Sequence, residues 1–85
     1  MERLVTLHLI HALAENVIER VEVILDPDGR DAFPVLRRHF VHMAARAADE
    51  RVRSDVDDMP FLHDYTLVVT EADNHADVLL RFREG

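Results

Sequence analysis

Six histidines are the residues of this chain whose type and spacing can do chemistry. His8 and His11 lie three apart and Glu15 follows four later, a spacing that on a helix aligns all three along one stripe. Two imidazoles and a carboxylate so aligned can hold zinc or another divalent metal, provided a neighbouring helix or subunit completes the shell. His39 and His42 repeat the three-residue spacing. Neither pair has the His-Glu-x-x-His arrangement of metalloproteases or the Glu-x-x-His pairs of di-iron bundles. An ordinary polar face, exposed or interfacial, therefore explains the stripe better than a metal site does, and no cofactor is expected.

Other chemistries find little material. Cysteine is absent, Ser54 is the only serine, and Gly29 and Gly85 are the only glycines. Nucleophile elbows, phosphate-cradling loops and dinucleotide fingerprints cannot be built from these. Asp55, Asp57 and Asp58 resemble part of a calcium loop, but Met59 and Pro60 stand where a ligand and a sharp-turn glycine belong. A small enzyme using carboxylate or histidine acid–base chemistry stays open as a third reading, behind metal binding.

The arginines point to a partner. All ten basic residues are arginine, against a formal charge of −7 for the chain. Residues 32–53 carry a local balance of +3 through Arg37, Arg38, Arg46, Arg51 and Arg53, offset by Asp49 and Glu50. On a helix, Arg38, His39, His42, Arg46 and Arg53 share an outward face suited to a phosphate backbone or an acidic partner surface. Pairing with carboxylates of residues 2–26, which net −3, is the more economical use of that charge. The acidic total argues against nucleic acid and anionic membranes.

The elements that must position these residues follow from apolar spacing. Leu7, Ile10, Leu13, Ala14, Val17, Ile18, Val21, Ile24 and Leu25 fall within roughly 140° of a helical wheel, predicting a first helix over Glu2 to Asp26. Pro27 ends it, and Asp26-Pro27-Asp28-Gly29 suits a β-turn. A second helix is expected from Asp31 or Pro34 to about Arg53, burying Phe33, Leu36, Phe40, Met43, Ala44, Ala47 and Ala48, with Val41 and Val52 at the edge. It should end near Ser54. Tyr65 to Thr70 alternates in the manner of a strand and Val78 to Phe82 supplies its partner, with 71–76 as the loop. A third helix through the same residues would leave Leu67, Val78 and Phe82 off its apolar face.

The expected fold is therefore α+β: an antiparallel helical hairpin packed on a C-terminal β-hairpin, with an all-α three-helix bundle as the alternative. Eighty-five residues make one small domain, 1–85, whose own core is modest. Without cysteines, such a chain gains stability by association, so a homo-oligomer is expected. No apolar run approaches the roughly 20 residues of a membrane span, and no basic flank opens a secretory signal, which together suggest a cytoplasmic protein. The leading functional expectation is a small non-enzymatic interaction module that binds another protein through a charged helical face.

Overall fold

A computed structural model describes residues 1–47 and 60–83. Its first third is not a helix. Residues Arg3–His11 form strand β1 and Val17–Leu25 form strand β2, paired antiparallel from Arg3 opposite Leu25 to Leu9 opposite Glu19. Val5, Leu7 and Leu9 alternate with Thr6 and His8, while half-buried Val21 and Val23 alternate with exposed Arg20, Glu22 and Ile24. This period-two pattern, carried by β-branched residues, wins over the helical arc because β-branched side chains lose rotamer freedom in a helix and pack well on a pleated surface. The stripe that a helix would bury is broken up: Leu7 is 0% exposed, Ile18 41% and Leu13 89%.

The chain reverses between the strands through a turn closed by Glu15 N–H to the His11 carbonyl (2.8 Å) and His11 N–H to the Asn16 carbonyl (3.1 Å). Glu15 adopts φ 59°, the left-handed region, where a non-glycine residue carries steric cost.

The turn over Asp26-Pro27-Asp28-Gly29 forms as expected, with Gly29 N–H donating to the Asp26 carbonyl (3.0 Å) and Asp28 N–H to the Asp26 carboxylate (3.1 Å). It joins a strand to a helix rather than two helices. A Cβ on Gly29 would come within 3.1 Å of the Asp26 carboxylate, so the close turn favours glycine. Helix α1 spans Ala32–Ala47 and buries Ala32, Leu36, Phe40, Met43 and Ala44, a stripe at helical spacing. Pro34 sits in the first turn, where its missing N–H costs nothing. The expected continuation of this helix through Ala48, Val52 and Arg53 to Ser54 lies outside the described residues.

A 3₁₀ turn, Pro60–Asp64, leads into β3, Tyr65–Glu71, which pairs through the two-residue turn Ala72-Asp73 with β4, Asn74–Phe82. The two C-terminal strands are present, but the loop expected over 71–76 shrinks to Ala72-Asp73 because Glu71 pairs with Asn74, and the three-helix alternative is overturned. All pairings are antiparallel in the order β2-β1-β3-β4. The expected helical hairpin is likewise overturned: among the described residues one α-helix covers one face of a four-stranded sheet. Strands β2 and β3 flank β1 and run in the same direction, and α1 is the crossover between them.

The core lies between α1 and that sheet face. Val5, Leu7 and Leu9 of β1, Leu67 and Val69 of β3 and Phe82 of β4 meet Leu36, Phe40 and Met43. Phe40 and Phe82 pack edge-on at 5.5 Å between ring centres. The opposite sheet face carries Thr6, His8, Val68 and Thr70, all buried by their strand neighbours with no helix over them among the described residues. No helix among the described residues is long and apolar enough to cross a membrane.

Candidate functional site

The helix-free sheet face is organised around His8. The Arg20 Nε–H donates to His8 Nδ1 (3.2 Å), and His8 Nε2 lies 2.8 Å from the Thr70 hydroxyl, which donates in turn to the Glu71 carbonyl (3.1 Å). A guanidinium can only donate, and the Thr70 proton is committed to a carbonyl. His8 must therefore be neutral with its proton on Nε2. Burial lowers its pKa, and the adjacent His75 ring, edge-on at 4.7 Å, and the Arg20 charge lower it further. With both ring nitrogens occupied, His8 is a structural relay across three strands rather than a free base or ligand. Beside it the Thr6 hydroxyl is buried with no hydrogen-bond partner among the described residues.

The metal-ligand spacing read from sequence required a helix, and β1 removes that premise. On a strand, residues three apart point to opposite faces, so His8 and His11 diverge. The His11 Nδ1 accepts backbone N–H groups of Leu13 (3.3 Å) and Ala14 (3.2 Å), which commits it to capping the turn. Its ring lies edge-on to Tyr65 at 5.7 Å. Glu15 is exposed in the same turn. Among the described residues, no group of three or more His, Asp or Glu side chains is placed to hold a metal ion.

The outward face of α1 brings together part of the expected partner set. Arg38 and His42 are exposed one turn apart. His39 is half-buried, and its pKa is lowered by burial and then by Arg38, His42 and Arg46. Arg46 is drawn aside into an ion pair with Glu19 of β2 at 2.6 Å. That contact is the complementary pairing anticipated between residues 2–26 and the arginines. Arg53 lies outside the described residues.

A residue assigned to the core from sequence belongs instead to this face. Phe33 is 62% exposed. It stands seven residues before Phe40 and so on nearly the same stripe, but its ring meets only the end of the sheet, at Phe82 (5.0 Å). Together with Pro34, Arg37, Arg38, Val41 and His42 it lines a shallow cleft of about 350 Å³. The sequence signal was its place in the first helical turn, where a buried stripe overhangs its support. No family model matches the chain, and neither curated proteins nor solved structures give a significant match.

Proposed function

We propose that the protein is a non-enzymatic interaction module that binds an acidic, partly apolar segment of another protein across the outer face of α1. The observation that carries this reading is the exposed Phe33 ring sharing a cleft with Arg38 and His42. Aromatic and arginine side chains around a shallow depression are the groups that dominate binding energy at protein interfaces. The apolar walls from Phe33, Pro34 and Val41 supply buried area, while Arg38 selects a carboxylate by bidentate hydrogen bonding. The surrounding acidic surface opposes acidic ligands elsewhere and confines them to this basic strip.

Selection of binders from a random peptide display library tests the reading, with the site mapped by NMR chemical shifts. The expected result is enrichment of peptides with Asp or Glu flanking an aromatic or aliphatic residue, shifts centred on Phe33, Arg38 and His42, and loss of binding in Arg38→Glu and Phe33→Ser. Failure to select binders, or shifts centred elsewhere on the molecule, overturns it.

A further inference from the structure

Strand β2 forms one edge of the sheet, and no strand among the described residues pairs with its outer side. Such an edge presents a row of N–H and C=O groups ready to pair with another chain, and proteins usually blunt it with proline, lysine, bulges or short length. β2 contains no proline or lysine; its one register shift lies at Ile18, and the seven residues from Glu19 to Leu25 pair regularly with β1. The opposite edge, β4, differs, for its pairing with β3 is interrupted on both sides of Thr70.

The inner stretch of β2 is complementary in charge to itself about Val21. Arg20 and Glu22, of opposite charge, lie one position either side of it. Alternation along the regular ladder puts Arg20, Glu22 and Ile24 on the sheet face away from α1, where Ile24 is 68% exposed, while Ile18 falls at the register shift between the Leu9–Glu19 and Ile10–Val17 pairs. We propose that two copies of this chain join through their β2 strands, antiparallel about Val21, into a continuous eight-stranded sheet. In that register each Arg20 stands opposite the second copy's Glu22, each Glu19 opposite its Val23, and Val21 opposite itself. Directly opposite side chains in an antiparallel pair come within about 5 Å, close enough for ion pairs and apolar contact.

Both charges are available. Arg20 spends only its Nε on His8, and Glu22 makes no hydrogen bond or ion pair among the described residues. The register is selected against its neighbours. Sliding by two residues one way sets Glu22 against Glu22, the other way Arg20 against Arg20, and like charges directly opposite destabilise a pair. Sliding by one residue turns the helix-free face of one copy to the opposite side from its partner's. The two-fold arrangement is self-complementary, as a closed dimer requires.

Charge exchange tests the register without needing a natural ligand. Sedimentation velocity is run on the wild type, on Arg20→Glu, on Glu22→Arg, on their equimolar mixture and on the doubly exchanged chain, with circular dichroism to check folding. The wild type and the double exchange form dimers. Each single variant places like charges opposite one another twice and weakens dimerisation about tenfold or more. The mixture regains the dimer, because each introduced glutamate then faces an introduced arginine and the native Arg20 of one chain faces the native Glu22 of the other. Arg20→Glu also removes the bond to His8, so if that variant fails to fold, Glu22→Arg alone against the wild type carries the test. A wild type that stays monomeric at about 100 μM, roughly a hundred times the concentration at which a micromolar dimer half-assembles, overturns the proposal. So do single variants that dimerise as well as the wild type.

Discussion

Leu7 and Leu13 separate the strand architecture from a helical reading of the same residues, because one helical arc would bury both. In the sheet Leu7 is 0% exposed, set between Val21 of β2 and Val69 of β3, while Leu13 is 89% exposed in the turn. Leu7→Ala removes three carbon centres at about 0.8 kcal/mol each and leaves a cavity that the flanking strands cannot fully close, for a total of about 3–4 kcal/mol. A chain of 85 residues has about 4–13 kcal/mol of stability in all, so this single change removes a large part of it. Leu13→Ala should stay within about 0.5 kcal/mol of wild type. Urea unfolding followed by circular dichroism reads both; with a slope near 1 kcal/mol per molar, the Leu7→Ala midpoint falls by about 3 M and the Leu13→Ala midpoint barely moves. Protein concentration is held constant, since association would shift both midpoints by mass action. Comparable losses from the two variants, or a greater loss from Leu13→Ala, would refute the strand assignment of β1.

Stability should fall as pH drops from about 7.5 to about 5.5. His8 and His39 have folded pKa values below the ordinary value of 6.5, so between the folded values and 6.5 the unfolded chain binds more protons than the folded one. Their contribution is complete above the unfolded pKa and is lost as pH falls through the folded values; urea midpoints across the range measure it, and a flat or inverted profile contradicts it. In His8→Phe the same profile should flatten, as one of the two groups is gone. Thr6→Val keeps the shape of the side chain but deletes a buried hydroxyl that lacks a partner, and it should raise stability by about 1 kcal/mol in thermal melts. An equal loss would show that the hydroxyl has an essential partner.

The C-terminal hairpin was legible because Tyr65 to Thr70 carries both signals of a strand, alternation and β-branching, and because a third helix stranded Leu67 and Phe82. The buried stripe of α1 was legible at Leu36, Phe40, Met43 and Ala44, where spacing alone decides the face. The first 26 residues misled for a definable reason. Ala12, Leu13, Ala14 and Glu15 are good helix formers lying between two strands, and they joined two period-two patterns into one apparent helical arc. The metal-ligand stripe inherited that error. The relay from His8 to Thr70 spans 62 residues and depends on strand order, which no local pattern encodes. For the arginines, charge sign foretold that some would pair with the first segment; that Arg46 does so with Glu19, leaving Arg38 exposed, required the crossover of α1 over the sheet.

Strand order also governs how quickly this chain can find its fold. Each hairpin closes through a short turn, an event of microseconds, whereas the central ladder sets Val5 against Glu71 and must wait for the whole crossover to come around. Until β1 meets β3, the inner edges of both hairpins and the side chains of Leu7, Leu9, Leu67 and Val69 lie open to solvent. The search for that one junction sets the pace of folding, as it does wherever the central contacts are the most distant in sequence. Refolding yield should therefore depend on concentration, because an open inner edge accepts a neighbouring chain's hairpin as readily as its own.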